Sequence, residues 1–481
     1  MKGWDAQQIA NAAGADLLVA PTPSPSPTPA PSLTLTPAPT PAPTSTAAER
    51  GPSAVTIDSR EAGPGVLFVG LPGEHAHGGA FAADALAAGA WGVLTDTDHA
   101  QGLDGGVVLA AEDPLRALQQ LATAWRVELG RSSGLQVIGV TGSTGKTSTK
   151  DLLLALLSPH RVTAASRANF NTEIGLPLEL LRTPAGTEVL ILEMGMRGVG
   201  QIAELTAIAL PDVGVIVSIG PVHLELLGSI EAIAAAKAEL IAGLAPCATA
   251  VVPADEPLLE PHLRGALATV TFGGDGDVVL TAETDEHVEI IASGTPVSLT
   301  VDFTQAHLRR NLLAAVAAAR AVGVTPEGNV ALELSPGRGQ HIELPGGVTL
   351  LDDSYNANPM SMRAALDELA STARRGGERR RIAVLGDMLE LGPDAVSFHR
   401  EIGAYAAARA DILVTVGPLA ATIGHDFPHD HRHVADAGAA AELLPELVED
   451  GDVVLVKASR GVHLEVVCAA LSATGRTGAT A

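Results

Sequence analysis

The chain has 481 residues, of which 46% are hydrophobic, and its formal net charge is −25. Its length suggests about three domains, and its acidity argues against non-specific binding to nucleic acid or to an anionic membrane surface. Aromatic residues make up 2%, which argues against a stacking platform for single-stranded nucleic acid. Cys247 and Cys468 have no metal or redox spacing, so we predict two free thiols in a reducing compartment.

The start of the chain, MKGWDAQQIANAAGADLL, lacks a basic segment followed by an apolar core, and no later stretch approaches about 18 uncharged apolar residues. We therefore expect a cytoplasmic protein without a membrane span. Residues 21–47 form a Pro/Thr/Ser/Ala tract, which we interpret as a flexible, solvated insertion. A mucin-like stalk is the alternative, but it would require export.

Two different patterns of apolar segments follow the tract. The segment AVTIDSREAGPGVLFVGLPG has short β-rich runs separated by Gly and Pro, and a helical stretch follows from Phe81 to Ala90. From about Leu135, continuous apolar runs alternate with helical patterns, which is typical of a parallel sheet covered on both faces. These central runs are LQVIGV, EVLILE, DVGVIVSI and ATAVV.

A polar stretch at about 276–305 predicts a short antiparallel insertion. A second alternation begins near Ser335, with the runs VTLLDD, RIAVLG, DILVTVG and DVVLVKA. We predict an α/β fold with three domains. They are a small N-terminal α/β domain (1–134, interrupted by the 21–47 insertion), a central P-loop domain with a parallel sheet (135–334) and a C-terminal Rossmann-like domain (335–481).

Residues 137–150, VIGVTGSTGKTSTK, place β-formers before a Gly-rich turn and a helix-forming stretch after it. This order predicts a phosphate-binding loop, because backbone N–H groups at a helix N-terminus surround phosphate oxygens. Lys146 would reach the β/γ-phosphates and Thr147 could bind Mg²⁺. Val140 stands where the usual pattern has its first Gly, so the match is to T-G-S-T-G-K-T. The alternative is a Gly-rich turn with an exposed lysine.

Two candidate residues follow apolar strands of the central domain. Glu193 ends EVLILE, where ligands of open parallel sheets bind, and is placed to hold Mg²⁺. The alternative is a solvated carboxylate at a strand end. His223 follows DVGVIVSI by the same logic, but a lone histidine there is as often a hydrogen-bonded loop residue as a catalytic group.

Lys237 lies on an apolar helical stripe, seven residues after Ile230 and four after Ile233. Burial there would disfavour its ammonium form. The alternative is that its side chain reaches solvent from the edge of the stripe.

Other polar residues lie on a predicted helix or at predicted ligand edges. Asn311 lies in HLRRNLLAAVAAARAVG and Arg338 in PGRGQ, and either could be ordinary surface chemistry. Asp352 and Asp353 end VTLLDD. The basic segment with Lys457, Ser459 and Arg460 follows DVVLV and would meet an anionic substrate, unless it is simply a basic loop on an acidic protein.

With these residues in order, the chain resembles the Mur ligases, which form amide bonds at the expense of ATP in peptidoglycan synthesis, over nearly its whole length. Four segments resemble members that add D-alanyl-D-alanine to a UDP-N-acetylmuramoyl-tripeptide. These are NFNTEIGLPLELL at 169–181, DDSYNANPMSM at 352–362, GDMLELG at 386–392 and KASRGVHLE at 457–465.

The resemblance implies roles for individual residues. Lys146, His223 and Lys237 would be catalytic, and Lys237 would carry a carbamate. ATP and Mg²⁺ would be the cofactors, with metal ligands Thr147, Glu193, His223 and carbamoylated Lys237. The nucleotide would contact Gly142, Ser143, Thr144, Gly145, Lys146, Thr147, Ser148, Asn311, Arg338 and Asp353. The other substrates would contact Ser59, Arg60, Asn169, Asn171, Thr172, Asn356, Asn358, Lys457, Ser459 and Arg460.

The implied reaction forms an acyl phosphate on the tripeptide, which the amine of D-alanyl-D-alanine then attacks. We expect a monomer with these two partners and ATP, and no nucleic acid. Alternatives are a folylpolyglutamate-type or other amino-acid ligase, a P-loop nucleotide switch and a non-catalytic scaffold. One departure affects the first domain: His77-Gly78-Gly79 stands where the family usually reads D-G-H, which puts contacts from that loop in doubt.

Overall fold

A computed structural model describes residues 1, 3–20, 51–167, 169–375 and 377–474. The insertion predicted at 21–47 lies outside the described residues. The chain divides into two compact units. The first consists of Met1–Val137, Asn169–Leu190 and Glu204–Leu210, and the second of Ile138–Ala168, Ile191–Ala203 and Pro211–Ala481.

The first unit contains a five-stranded sheet of order β1-β5-β4-β3-β2. Its strands are β1 (Asp16–Val19), β2 (Ala54–Thr56), β3 (Val66–Val69), β4 (Gly92–Asp96) and β5 (Val107–Ala111). Among the described strands of this sheet, only β1 pairs antiparallel with its neighbour. The helices up to residue 133 are α1 (Ala6–Ala13), α2 (Ala82–Ala87), α3 (Thr97–Ala100) and α4 (Pro114–Ser133). Helix α2 is shorter than the predicted 81–90, because Gly89 adopts a φ of 86° just beyond its end.

The second sheet has ten strands in the order β15-β14-β13-β12-β11-β10-β9-β6-β8-β7. They are β6 (Gln136–Thr141), β7 (Thr163–Ala165), β8 (Val189–Glu193), β9 (Val213–Ile216), β10 (Thr249–Pro253), β11 (Ala268–Phe272), β12 (Val278–Glu283), β13 (His287–Ala292), β14 (Thr295–Val301) and β15 (Gly328–Val330). The helices in this part of the chain are α5 (Lys146–Leu157), α6 (Gly175–Arg182), α7 (Gln201–Ala209), α8 (Leu224–Leu227), α9 (Ile230–Gly243) and α10 (Ala306–Ala321). Strands β12, β13 and β14 pair antiparallel, so the insertion predicted at 276–305 is confirmed.

The third sheet, in the second unit, has the order β16-β17-β21-β18-β19-β20 and is parallel except for the pair β16–β17. Its strands are β16 (Gln340–Leu344), β17 (Val348–Asp352), β18 (Arg381–Gly386), β19 (Ile412–Val416), β20 (Asp430–Val434) and β21 (Val453–Lys457), and its helices are α11 (Pro359–Arg375), α12 (Ala395–Ala406), α13 (Ala437–Leu447) and α14 (Glu465–Thr474). Successive strand residues enter different core clusters: Leu351 and Leu455 join one, and Leu350 and Val454 the other. Helices therefore cover both faces of this sheet.

The predicted α/β class is confirmed, the structure has three sheets among its described residues, and all eight apolar runs named in the sequence form strands. Short 3₁₀ helices complete the described elements: Ser59–Glu61, Gly78–Phe81, Pro257–His262, Pro345–Gly347, Gly392–Asp394, Ala420–Asp426 and Arg460–Val462. Both cysteines are free, as predicted. Among the described helices, none combines the length and apolarity that crossing a bilayer requires.

Candidate active site

The Gly-rich turn lies between β6 and α5, as its sequence predicts. Gly145 precedes the first residue of α5 and has a φ of 79°, a left-handed conformation that favours glycine. A Cβ at this position would lie 2.7 Å from Oδ1 of Asn311. The amide of Asn311, on α10, therefore packs directly against the loop. The Lys146 ammonium donates to the Gly142 carbonyl at 2.8 Å.

Lys146 is poised for an anion. Its burial lowers the pKa of its ammonium group, the charge of Glu193 opposes this effect, and the charge of Arg338 adds to it. A buried ammonium gains most from a partner of opposite charge. Phosphate oxygens in the loop would supply that charge.

Glu193 is buried at the end of β8, so it is not the solvated strand-end carboxylate of the alternative interpretation. Its Oε2 accepts a hydrogen bond from the Thr147 hydroxyl at 2.7 Å, and its backbone N–H donates to the Ser166 hydroxyl at 3.0 Å. A carboxylate and a hydroxyl are the oxygen donors that Mg²⁺ prefers. The two side chains therefore fit a magnesium site beside the loop.

Hydrogen bonds fasten the loop to the segment after β9. The Ser143 hydroxyl donates to the Gly220 carbonyl at 3.0 Å and accepts from the Gly220 N–H at 2.9 Å. The Thr144 N–H donates to the Ser218 hydroxyl at 2.9 Å. This segment leads directly to His223, so the geometry of the phosphate-binding loop is coupled to the position of that histidine.

His223 adopts a left-handed conformation with a φ of 55°, which is uncommon for a residue with a side chain. Its Nδ1 is hydrogen-bonded to Oε2 of Glu390, which also has a positive φ. Burial lowers the pKa of the imidazole; Glu390 opposes this shift, and the charges of Lys237 and Lys146 reinforce it. A strained histidine with a carboxylate partner is typical of functional sites.

Lys237 is 2% exposed on α9, so its side chain does not reach solvent. Burial, with a smaller effect of the Lys146 charge, moves the pKa of its amine well below the usual value. In the described part of the chain, this amine has neither an ion pair nor a hydrogen bond. Of the two interpretations of the sequence, the buried lysine with a disfavoured ammonium form is the one observed.

At the ligand edge of the third sheet, Lys457 donates to Oδ2 of Asp353 at 2.6 Å and to the Asn356 carbonyl at 2.9 Å. Ser459 is buried, and its hydroxyl accepts from the Leu389 N–H at 2.9 Å. Both side chains thus position neighbouring backbone.

The remaining predicted residues of this edge differ in exposure. Asn358 is buried and its Oδ1 accepts from the Ser361 N–H at 3.0 Å, next to the start of α11. Asn356 is exposed. Arg338 and Arg460 both lie over the ring of Tyr355, with guanidinium carbons 3.9 and 4.8 Å from its centroid.

The other predicted substrate residues belong to the first unit. Arg60 is exposed, and its guanidinium pairs with Asp58, whose pKa it lowers to about 2. Ser59 begins a 3₁₀ helix beside them. The Thr172 hydroxyl accepts from the Gly175 N–H at 3.3 Å at the start of α6. Asn169 has a φ of 69°, and Asn171 follows it in the segment before α6.

The departure from D-G-H has a structural solution. Nδ1 of His77 accepts from the Gly79 N–H at 3.1 Å and so caps the 3₁₀ helix Gly78–Phe81, which an Asp could do equally well. His99 stacks on His77 with ring centroids 4.4 Å apart and an interplanar angle of 8°, and its Nδ1 lies 2.8 Å from Oδ2 of Asp96. These three side chains are close enough to ligate a metal, but parallel rings cannot both point in plane at one ion. The cluster is arranged as a hydrogen-bonded cap.

The sequence does not single out three side chains that belong to the site. Ser218 supports the loop, Glu390 contacts His223, and Tyr355 lies under two arginines. Glu390 and Tyr355 are part of GDMLELG and SYNANP, but a sequence segment does not reveal its spatial partner.

Family models match the chain in three consecutive parts. The Mur ligase family catalytic domain matches residues 53–126, the Mur ligase middle domain residues 140–319, and the Mur ligase glutamate ligase domain residues 337–460. Each match lies inside one of the three predicted domains.

Curated relatives and solved structures point the same way. The UDP-N-acetylmuramoyl-tripeptide--D-alanyl-D-alanine ligase of Bacillus subtilis is 36% identical over 86% of this chain and 92% of its own length. That of Mycobacterium tuberculosis is 37% identical over 90% and 94%. MurF from Acinetobacter baumannii superposes with a TM-score of 0.81 at 27% identity, covering 98% of this chain and 99% of its own. MurF ligase from Thermotoga maritima in complex with ADP gives 0.77 at 31% identity, covering 89% and 98%. The chain belongs to the Mur ligase family.

Proposed function

We propose that this chain is an ATP-dependent ligase that joins D-alanyl-D-alanine to UDP-N-acetylmuramoyl-tripeptide. The observation that carries the proposal is the grouping of a phosphate-binding loop, the Thr147–Glu193 pair, His223 and buried Lys237 within one compact unit. Full-length relatives with this named activity, and a similar ligase that binds ADP, support the choice of substrates.

Thr147 and Glu193 would hold Mg²⁺, and His223 with a carbamoylated Lys237 would hold a second ion. Bound Mg²⁺ neutralises charge on transferring phosphoryl groups. The chain's own part is positional: the loop would hold the phosphates of ATP, Lys146 would contact the transferred group, and Asn311, Arg338 and Asp353 would fix the nucleotide. The attraction between the Lys146 ammonium and the transferred phosphoryl group would be strongest in the transition state, where negative charge develops on that group.

The terminal carboxylate of the tripeptide would attack the γ-phosphorus of ATP, breaking its bond to the β–γ bridging oxygen and releasing ADP. The acyl phosphate has a good leaving group, which the carboxylate lacks. The amine of D-alanyl-D-alanine would attack the carbonyl carbon, and phosphate and one proton would leave. Water would destroy the acyl phosphate, so the site must exclude it before chemistry begins.

The remaining substrate residues fall into two groups in this proposal. Ser59, Arg60, Asn169, Asn171 and Thr172 would bind the UDP-sugar peptide, and Asn356, Asn358, Lys457, Ser459 and Arg460 would form the site of the incoming dipeptide. We also propose a cytoplasmic location, since peptidoglycan precursors of this type are nucleotide-linked. We further propose that the chain is a monomer. Light scattering of the purified chain would test its mass.

The deciding experiment measures ADP and phosphate release with Mg-ATP and UDP-N-acetylmuramoyl-tripeptide, with and without D-alanyl-D-alanine, followed by the mass of the product. We expect turnover only when both the tripeptide and D-alanyl-D-alanine are present, and we expect the product to have the mass of the pentapeptide. ADP release that ignores both substrates would instead indicate a nucleotide switch. Turnover with a folate and glutamate would indicate the folylpolyglutamate-type alternative.

Lys146→Ala provides the matching loss-of-function control. The substitution removes the ammonium that contacts the transferred phosphoryl group, so ADP release should fall by about a hundredfold or more. Full activity in this variant would exclude the loop from the mechanism.

A further inference from the structure

Two guanidinium groups lie over a single aromatic ring at the ligand edge of the third sheet. The guanidinium carbon of Arg338 is 3.9 Å from the Tyr355 ring centroid, and that of Arg460 is 4.8 Å from it. Neither guanidinium forms an ion pair within the described residues. The charge of Arg460 contributes to lowering the pKa of Glu465, but the carboxylate of Glu465 contacts His463 at 3.2 Å. Two cations without carboxylate partners form a site for an anion.

Several hydrogen bonds hold the backbone that bears these groups. The Tyr355 N–H donates to the Gly337 carbonyl at 3.0 Å, which ties the turn bearing Arg338 to the tyrosine. Gly337 has a φ of 70°, and a Cβ there would lie 3.2 Å from the Tyr355 nitrogen. Lys457 donates to the carbonyl of Asn356, the next residue.

The turn bearing Arg460 is held by its neighbour Ser459. The hydroxyl of this buried residue lies 3.3 Å from the Ala357 carbonyl, to which it donates. Both arginines therefore emerge from backbone that is held by hydrogen bonds, and both lie over the ring of a residue whose backbone is held in the same way. Such pre-organisation lowers the entropy lost when a ligand binds.

The two arginines face different partners. The charge of Arg338 influences the pKa of Lys146, so Arg338 lies on the side of the phosphate-binding loop. Arg460 follows β21, is exposed, and begins the 3₁₀ helix Arg460–Val462. In the proposed reaction the amine of the dipeptide must face the acyl group, which leaves its terminal carboxylate pointing away. Planar guanidinium groups bind carboxylates through two parallel hydrogen bonds.

We propose that Arg460 binds the C-terminal carboxylate of the incoming dipeptide, and that Tyr355 is a positioning residue that holds this guanidinium ready. The inference rests on the proposed function, because it concerns the acceptor of that same reaction. It makes Arg460 a specificity determinant for acceptors that end in a free carboxylate.

The test compares two acceptors at saturating Mg-ATP and UDP-N-acetylmuramoyl-tripeptide: D-alanyl-D-alanine and D-alanyl-D-alaninamide, which lacks the carboxylate. The wild-type chain should prefer the carboxylate by about tenfold or more in kcat/KM, as expected for a charge-assisted hydrogen bond. Arg460→Gln should raise KM for D-alanyl-D-alanine by a similar factor and lower kcat/KM for the amide by a clearly smaller factor, so that the preference for the carboxylate is lost.

Variants of Tyr355 separate positioning from general structure. Tyr355→Phe keeps the ring and should retain the preference for the carboxylate, whereas Tyr355→Leu should lose part of it. Arg432→Gln, on the exposed strand β20, is the control for loss of a positive charge elsewhere.

The possible outcomes separate the two proposals. An equal loss for both acceptors in Arg460→Gln, or a wild-type chain that does not distinguish them, would reject the carboxylate site and leave the ligase function standing. Absence of any ligated product from the wild-type chain with D-alanyl-D-alanine would reject both. If Arg460→Gln does not fold, the Tyr355 pair decides: equal preference in the Phe and Leu variants would reject the positioning role.

Discussion

Lys237 illustrates how far a single residue can be interpreted from sequence. Its spacing from Ile230 and Ile233 placed an ionisable group on an apolar stripe, and that anomaly alone left two interpretations open. The structure buries the amine and lowers its pKa. A neutral amine is nucleophilic and can add CO₂ to give an anionic carbamate, which is the modification that the family resemblance implies.

The carbamate gives a first prediction at the residue scale. Activity of the wild-type chain should fall in CO₂-depleted buffer and return when bicarbonate is added, because the carbamate is reversible. ¹³C-bicarbonate should give a carbamate signal in the NMR spectrum of the wild-type chain that is missing from Lys237→Ala. Unchanged activity without CO₂, together with no such signal, would contradict the prediction.

His399 gives a second prediction, on stability. It is fully buried; its Nε2 accepts from the Met388 N–H at 2.9 Å, and its Nδ1 donates to the Ala395 carbonyl. Burial lowers the pKa of this imidazole from its ordinary 6.5, with smaller opposing effects of Ala395 and Asp387. The unfolded chain therefore takes up a proton first as pH falls, so the stability contributed by neutral His399 is complete above pH 6.5 and decreases below it.

Denaturant unfolding at several pH values would check this. The wild-type chain should lose more stability between pH 7.5 and 5.5 than His399→Gln does, since glutamine can accept and donate similar hydrogen bonds without titrating. Other histidines contribute equally to both chains and cancel in the difference. Parallel pH curves for the two chains would refute the assignment.

At the scale of elements, the sequence predicts eight strands of the second and third sheets, but it predicts neither the buried strands β4 and β5 of the first sheet nor most edge strands. A continuous apolar run such as EVLILE places apolar side chains on both faces of a strand, and these are buried only if both faces of the sheet are covered. Strand β8 and the other strands with such runs are therefore recognisable from the sequence. The sequence does not predict the edge strands β7, β15, β16 and β20. They are short or carry polar residues, and their pairing depends on neighbours that are distant in sequence. Likewise, the helix at 82–87 was predicted, but not its length.

The loop between β6 and α5 supports a prediction with a matched control. Gly145→Ala introduces a Cβ into a left-handed conformation and against the Asn311 amide, so it should weaken ATP binding by about tenfold or more, through a displaced loop. Gly134→Ala imposes comparable strain at a φ of 67° after α4, with no atom within 4 Å of the new Cβ. Calorimetric titration with ATP should show normal affinity in the control. Equal affinities in both variants would show that the close approach to Asn311 is unimportant.

At the scale of the whole molecule, the site joins segments that are far apart in sequence. His223 and Glu390 are 167 residues apart, yet their side chains are hydrogen-bonded, and the Glu225 N–H donates to the Glu390 carbonyl at 3.4 Å. Gly392, with a φ of 66°, would place a Cβ only 3.1 Å from the backbone of Glu225. The position after an apolar strand pointed to the His223 segment, and the family resemblance pointed to the Glu390 segment, but only three-dimensional packing could reveal that the second one orients the first.

This long-range pair leads to the last prediction. Glu390 holds Nδ1 of His223, which fixes the orientation of the ring and leaves Nε2 as the nitrogen that can act on a ligand. Glu390→Ala should lower kcat for ligation by about tenfold or more while KM for ATP stays close to the wild-type value. In Glu390→Gln the amide oxygen can still accept a hydrogen bond from Nδ1–H, so its kcat should lie between those of the wild-type chain and of Glu390→Ala. Glu401→Ala, which removes an exposed carboxylate paired with Arg363, provides the control. If the Gln and Ala variants were equally active, or if the control lost as much activity, Glu390 would have no specific role in orienting His223.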